Sequence, residues 1–462
     1  MNSFLLALTL AVSDVLCTYG VRTRREAAPG LHIRGIRDSG GAYCQKQGYC
    51  CTDREDNCTV PYLDTICYCD SFCDRTVSDC CPDYWTHCQG IEPPGHIHRG
   101  CVRQGRKYPS GATYQDNCNL CTCSGAGHWD CEQHACLIQQ DMIHAVNHGN
   151  YGWKAGNYSQ FWGMTLDEGI RYRLGTSKPS TTVMNMNELH VNMASNEILP
   201  TSFDAAAKWP GMIHEPLDQG NCAGSWAFST AAVASDRISI QSMGHMTPVL
   251  SPQHLLSCDT RNQRGCSGGR VDGAWWYLRR KGVVTDECYP FTSQEKDKVP
   301  VQSPCMMHSR STGRGKRQAT ARCPSPHARS NEIYQATPAY RLAPSEKEIM
   351  KELMENGPVQ AIMEVHEDFF LYKGGIYRHT PVTTGKPEHY RRHGTHSVKI
   401  TGWGEEKNPN GQSEKYWIAA NSWGKSWGES GYFRIARGTN ECGIEAFVVG
   451  VWGRVSMEDV HK

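Results

Sequence analysis

The 462-residue chain offers no stretch, beyond a short run near its start, that reads as a membrane-spanning helix, which needs about 20 mostly apolar residues. No membrane segment is therefore expected. A surplus of either charge is missing too. The 48 Lys and Arg against 47 Asp and Glu leave a formal net charge of +1, so global charge points to no partner. Nucleic acid is not expected because the short run near the start reads as a secretory signal. Cysteine is absent from residues 137–200 although the whole chain carries 24 of them. Nor does any two-by-two cysteine spacing recur, which argues against structural zinc. No metal and no cofactor are expected.

What is present sets the compartment. Cytosolic thiols stay reduced, so dense cysteine usage is mostly an extracellular habit. The run Phe4-Leu5-Leu6-Ala7-Leu8-Thr9-Leu10-Ala11-Val12 is too short to cross a bilayer and reads as the core of a secretory signal peptide, assigned to residues 1–20. Secretion is the expectation. Asn57-Cys58-Thr59 and Asn157-Tyr158-Ser159 have the form of glycosylation acceptors, so Asn57 and Asn157 are candidate sites of a glycoprotein.

Length suggests roughly two to four domains, and cysteine density divides them. Residues 44–88 hold Cys44, Cys50, Cys51, Cys58, Cys67, Cys69, Cys73, Cys80, Cys81 and Cys88. So short a segment cannot bury enough apolar surface to fold unaided, so disulfides must staple it. Residues 101–136 form a second cluster: Cys101, Cys118, Cys121, Cys123, Cys131 and Cys136. The cysteine-free stretch 137–200 follows, and its polar and aromatic part from Asn147 to Asn157 does not read as a regular helix. From about Leu199 the composition turns globular, and residues 201–455 suffice for one large domain of two lobes. Ala227 to Met243 reads as a helix, and Tyr416–Ala420 and Gly431–Ala436 read as strands.

Basic residues come in runs: Arg279-Arg280-Lys281, then Arg310, Arg314, Lys316, Arg317 and Arg322, then Arg391-Arg392-His393. Such runs are usually solvated faces. Outside the cell they can also hold sulfated polysaccharide by charge.

The vicinal pairs and the order Cys67-x-Cys69-x3-Cys73-x6-Cys80-Cys81-x6-Cys88 resemble a somatomedin-B-like domain, with two cysteines more than that family usually carries. Cys118-x2-Cys121-x-Cys123 after Tyr108-Pro109-Ser110-Gly111 resembles the first half of a von Willebrand factor C module. Both are classes of extracellular binding module.

Gln219-Gly220-Asn221-Cys222-Ala223-Gly224-Ser225-Trp226-Ala227-Phe228 resembles the active-site segment of papain-family cysteine proteases. In that family the nucleophilic cysteine stands just before the tryptophan and opens a long helix, whose N-terminus favours the thiolate. Here the position is Ser225. The resemblance extends to three further segments in the same order. Gly265-Cys266-Ser267-Gly268-Gly269 matches the loop whose cysteine bridges the one before the nucleophile, implying Cys222–Cys266. His396 in Gly394-Thr395-His396-Ser397 matches the general base. Asn421 in Asn421-Ser422-Trp423-Gly424 matches the residue that orients it, and Gln219 the oxyanion-hole donor. The implied fold is α+β and papain-like with two lobes, preceded by the two disulfide-rich modules.

A serine in that frame changes the chemistry. The papain mechanism needs a thiolate–imidazolium pair formed in advance, which a thiol of pKa ~8.5 can supply. A hydroxyl ionises far higher and works only with a base that takes its proton during attack. The site is spaced for sulfur, so no peptidase activity is expected. The other readings are an active hydrolase using Ser225 with His396, and a cleft that holds peptides without cutting them, which the Gly268-Gly269 wall allows. Cys222 as a substitute nucleophile is disfavoured by its implied bridge.

Within the family the chain is most similar to cathepsin B. The segment 137–200 resembles a cathepsin B-type propeptide, and Cys442-Gly443-Ile444-Glu445 matches that branch. With no catalysis to unmask, the segment is expected to stay attached and fill the groove. Phe447 replaces the acidic residue expected at the floor of the specificity pocket. Phe291 to Cys323, in place of the occluding loop, has His308 and no histidine pair. The seven cysteines of the domain are an odd number, and by resemblance Cys442 is the unpaired one. The whole arrangement resembles the tubulointerstitial nephritis antigen family. That resemblance implies a secreted glycoprotein of basement membrane and extracellular matrix, without proteolytic activity, acting in cell adhesion through laminin, collagen and integrins.

Overall fold

A computed structural model of the chain describes residues 41–62, 65–74, 78–91, 100–184, 187–192, 197–292, 303–313, 316–408 and 411–455. The signal-peptide expectation for residues 1–20 lies outside them. The chain divides into two compact units, one of residues 1–112 and 123–129, the other of 113–122 and 130–462.

The first unit is built on sulfur. Its disulfides are Cys44–Cys69, Cys50–Cys88, Cys51–Cys58, Cys67–Cys81, Cys73–Cys80 and Cys101–Cys123. The hairpin of Thr59–Tyr62 and Thr65–Tyr68 carries Cys67 into a core of half-cystines capped by Tyr62, Tyr84 and Trp85. The Asp83 carboxylate accepts from the backbone N–H groups of Tyr43, Cys44 and Gln45 at 2.8–3.0 Å and so satisfies the first turn of the helix Cys44–Gln47. Two groups of side chains here lie close enough to suggest a metal site, Cys44/Cys69/Cys81 and Cys51/Glu55/Cys58, but every one of those sulfurs is in a disulfide.

The boundary between units passes through the segment 101–136, which the sequence presents as one module. Cys101–Cys123 lies in the first unit, whereas Cys118–Cys136 and Cys121–Cys131 lie in the second. The physical reason is that 113–122 and 130–136 share contacts with the large domain: Asn117 Nδ2 donates to the Ile138 carbonyl (2.7 Å), and the Gly163 amide donates to Asn117 Oδ1 (3.2 Å).

Two large apolar cores organise the described residues of the second unit, with a small cluster around Tyr289 and Met307 beside them. The larger lies on a sheet ordered Trp153–Ala155, Tyr372–Tyr377, Tyr432–Ala436, Ser413–Ala420, Gly394–Lys407, Val359–Val365, Val448–Gly450, Tyr340–Leu342 and Glu188–Leu189. The smaller gathers the helices Ser225–Gln241, Pro252–Cys258 and Val271–Arg280 around Trp226 and Trp275. The helix Ser225–Gln241 is buried almost all round although it carries many hydroxyls. Ser229, Thr230, Ser235 and Ser239 each donate to the carbonyl four residues back (2.6–2.8 Å), which satisfies their donor hydrogens within the helix. Arg237, fully buried on this helix, pairs with Glu352 (2.8 Å) and donates to the Pro358 carbonyl (2.8 Å), joining the helix to the sheet side.

The stretch 137–200 is part of this fold. It contributes strands at both edges of the sheet, Trp153–Ala155 and Glu188–Leu189. Its Leu137, Phe161, Leu166 and Leu174 are buried in the larger core. Asn147 and His148 close a helix over Gln140–His148, and the rest of 147–157 is strand and loop.

Candidate functional site

Ser225 opens the long helix directly after Gly224 and is fully buried. Gly224 stands there because a side chain would press on Cys222 Sγ at 3.0 Å. The bridge Cys222–Cys266 fixes this turn to the loop Gly265–Gly269. The backbone N–H of Ser225 points outward from the helix start and donates to the Leu174 carbonyl (3.2 Å). Gln219 Nε2 donates to the same oxygen (3.1 Å) and to the Cys222 carbonyl (2.8 Å). The Gln219 amide is held in turn by Ser422 Oγ, which donates to its Oε1 (2.5 Å). Two donors therefore converge on one oxygen at the positive end of a helix, the arrangement that stabilises an oxyanion. The oxygen they hold belongs to the chain itself.

His396 sits near the start of the long strand Gly394–Lys407, and Asn421 directly follows its neighbour Ser413–Ala420, so the sheet brings the two together. His396 Nε2 lies 2.7 Å from Asn421 Oδ1. An amide oxygen only accepts, so Nε2 carries the proton and Nδ1 presents its lone pair. Nδ1 is buried and has no hydrogen-bond partner among the described residues. Trp423 covers the ring at 5.3 Å. Burial pushes the His396 pKa down to about 4, against the raising effect of the Asn421 hydrogen bond.

The Ser225 hydroxyl is engaged elsewhere. Its Oγ lies 2.8 Å from Thr176 Oγ1, which lies 2.8 Å from Ser397 Oγ, which lies 2.8 Å from Ser229 Oγ. A row of hydroxyls thus takes the place of a serine–histidine contact.

Thr176 belongs to a strap, Leu174–Ser177, laid along the wall of the cleft. The Gly269 amide donates to the Gly175 carbonyl (2.9 Å), and the Ser177 amide to the Gly269 carbonyl (2.8 Å). The strap can lie this close only because residue 175 is glycine: its φ is +112°, and a Cβ would fall 2.0 Å from the Ala223 carbonyl oxygen. Just upstream, Trp423 Nε1 donates to the Arg173 carbonyl (2.7 Å). Leu174, Gly175, Thr176 and Ser397 were not singled out by the sequence. Their role is carried by backbone carbonyls, a close approach and common hydroxyls, none of which makes a motif.

The remaining predicted residues fall as follows. Phe447 is buried among Trp226, Phe228 and Ile362 in the smaller core, and its carbonyl accepts from the Ile362 amide (3.2 Å). Asn57 and Asn157 are both exposed. His308 stands at the foot of a hairpin, Ser309–Gly313 with Lys316–Ala319, flanked by the bridges Cys258–Cys305 and Cys288–Cys323. Cys442 is unpaired, and burial followed by the neighbouring Glu441 pushes its thiol pKa up, away from reactivity.

The buried histidines set a pH dependence. Burial holds His396 near pKa 4, His254 near 3 and His366 near 4. The unfolded chain takes up these protons near pH ~6.5. Stability from these groups is thus complete above pH ~6.5 and is lost as pH falls toward 4. Asp259, held up to about 7 by burial, and Asp286 and Glu367, also raised by burial, work the other way and offset part of it. A falling Tm between pH 6.5 and 4 is expected, with a shallower fall in His396→Gln. An equal slope in the two proteins would show that His396 is not held neutral.

Comparison with known proteins places this geometry. A family model described as papain family cysteine protease matches residues 199–452. Tubulointerstitial nephritis antigen-like from Mus musculus is 68% identical over 99% of this chain and 98% of its own length. Tubulointerstitial nephritis antigen from Homo sapiens is 53% identical over 91% of this chain and 88% of its own. The solved structure of proCathepsin B S9 from Trypanosoma congolense covers 70% of this chain and 100% of that one, with TM-score 0.56 and 30% identity.

Proposed function

The chain belongs to the papain family of cysteine proteases as a cathepsin B-like member, and from this we propose that it works by binding and not by cutting. The observation that carries the proposal is the Ser225 hydroxyl, bonded to Thr176 while His396 Nδ1 stands unpartnered. A hydroxyl cannot form the pre-ionised pair that a thiol forms. The imidazole that would have to deprotonate it is kept a weak base by burial. The oxyanion position is filled by Leu174. The His396–Asn421 pair, which would favour a serine hydrolase, is accounted for by structure, since Asn421 Oδ1 also accepts from the Ser422 amide (2.8 Å). A foreign peptide would have to displace the strap from the Gly269 wall, which weighs against a free peptide groove.

With catalysis set aside, we assign the chain to the extracellular matrix and basement membrane as a secreted glycoprotein of cell adhesion. The cysteine-rich segments and exposed Asn57 and Asn157 support that setting. Laminin, collagen and integrins are the proposed partners, and sulfated polysaccharide a further one. The purified full chain is expected to show no turnover of a fluorogenic dipeptide and to bind laminin- and collagen-coated surfaces over albumin-coated ones. Turnover that disappears in Ser225→Ala would overturn the non-catalytic reading. Equal retention on all surfaces would overturn the matrix reading.

A further inference from the structure

The sequence scatters its cations in separate runs, and the fold brings two of them to one place. The helix Val271–Arg280 ends on Arg279 and Arg280, with Lys281 as its C-cap. Cations are favourable at a helix C-terminus, so the cluster sits there without strain. The hairpin of Ser309–Gly313 and Lys316–Ala319 docks on that end: Ser309 Oγ donates to the Lys281 carbonyl (2.6 Å). Arg317, from the opposite strand, braces the same residue. Its Nε donates to Ser309 Oγ (2.8 Å) and its Nη2 to the Ser309 carbonyl (2.5 Å). The bridges Cys258–Cys305 and Cys288–Cys323 hold the hairpin's two flanks.

Arg279, Arg280, Lys281, Arg310 and Arg322 are all exposed. None of the five has an ion-pair partner among the described residues. Glu332 comes to the same end through the Val283–Tyr334 bridge and accepts from the Tyr334 hydroxyl (3.3 Å), which leaves the cations in surplus. Four of the five are arginines, whose planar fork matches an oxyanion group bidentately. The hairpin is also held to the helical side by Ser309, and among the described residues it makes no hydrogen bond to Ser225 or His396.

We propose that the end of the helix Val271–Arg280 and the strands Ser309–Gly313 and Lys316–Ala319, with Arg322 just beyond them in the chain, together form the docking surface for a sulfated polysaccharide. The inference rests on the extracellular reading above, which makes sulfated polysaccharide the polyanion within reach of a disulfide-stapled chain. It assigns the polysaccharide to the papain-like domain and not to the cysteine-rich unit or the Arg391-Arg392-His393 run.

The test uses the full chain and heparin as the probe, over a series of salt concentrations. The variant is Arg279→Gln/Arg280→Gln/Arg310→Gln/Arg322→Gln, with Arg391→Gln/Arg392→Gln as the comparison. All substituted positions are exposed, and an unchanged Tm certifies the fold. Affinity at physiological salt is expected to fall by about tenfold or more in the fourfold variant, with a shallower dependence on salt, because fewer counterions are released. The comparison variant is expected to stay near the unsubstituted chain. A loss confined to Arg391→Gln/Arg392→Gln, or absent from both variants, would overturn the placement while leaving polysaccharide binding intact. No heparin binding by the unsubstituted chain would overturn the polysaccharide reading itself. Retention on anionic lipid vesicles without heparin binding would replace it with a membrane surface.

Discussion

Replacing Ser225 by cysteine in the full chain is expected to leave peptide hydrolysis undetectable. The substitution supplies a thiol, but the strap remains. Leu174 still offers its carbonyl to Gln219 Nε2 and the residue 225 amide, at 3.1 and 3.2 Å, so the oxyanion position is taken before any substrate arrives. Thr176 still covers the residue 225 side chain. The new thiol should also resist alkylation, because Ser225 has no exposed surface. Adding Gly175→Val separates the two obstacles. A side chain there would overlap the Ala223 carbonyl, 2.0 Å from the Cβ, and the backbone φ of +112° disfavours it as well. The strap must lift or carry strain of about 3 kcal/mol, which corresponds to roughly a hundredfold greater opening. Alkylation of the Ser225→Cys/Gly175→Val protein should therefore be faster by about that factor, and turnover should appear. Cleavage by Ser225→Cys alone would mean that the strap does not occupy the cleft in solution. An unreactive thiol in both proteins would mean that something other than Leu174–Ser177 closes it.

The same residues show what a sequence can and cannot disclose. Gln219, Ser225, His396 and Asn421 were legible because each sits in a segment whose neighbours are as characteristic as the residue itself. Ser225 was informative by chemistry, since by resemblance a hydroxyl stands where the family carries a thiol. That a cysteine-free segment stays attached was an expectation drawn from the loss of catalysis, and how it would lie was not legible. The strap is held by the carbonyls of Leu174 and Gly175, which every residue type possesses, and by a glycine among 45. The hydroxyl row Ser225–Thr176–Ser397–Ser229 joins positions as far as 221 residues apart, and nothing in the composition couples them. The sharing of 101–136 between two units was hidden for a related reason. Cysteine spacing marks the segment as stapled but not which partner each sulfur finds, and two of its bridges turn toward the large domain. Likewise the basic runs at 279–281 and around 310 are separate in the chain, and the contact of Ser309 with Lys281 brings them together.

Whether 137–200 is a removable propeptide or a structural element reduces to one side chain. Phe161 is fully buried. Its ring stands edge-on to Phe370 (5.8 Å) and Trp423 (5.5 Å), and the Arg173 guanidinium lies over it at 5.2 Å. Trp423 in turn covers His396 and holds the Arg173 carbonyl, so Phe161 supports both the strap and the base. Truncating a buried Phe to Ala costs about 3–5 kcal/mol. That is a large share of the ~5–15 kcal/mol that stabilises a folded protein. Phe161→Ala is therefore expected to lower the unfolding midpoint of the large unit by roughly 6–20 °C, at about 2–4 °C per kcal/mol. A propeptide that merely lies in a groove predicts otherwise. Its loss would free the cleft and leave the midpoint of the remaining domain almost unchanged. Because the segment also supplies an edge strand on each side of the sheet, proteolysis between it and residue 201 should leave the pieces associated under native conditions. A shift of only a degree or two in Phe161→Ala, together with release of the segment after cleavage, would return the molecule to the protease plan, with Ser225 as its one lesion. A large shift with no release means that the cleft is closed by the fold itself, and that restoring the thiol alone cannot restore an enzyme.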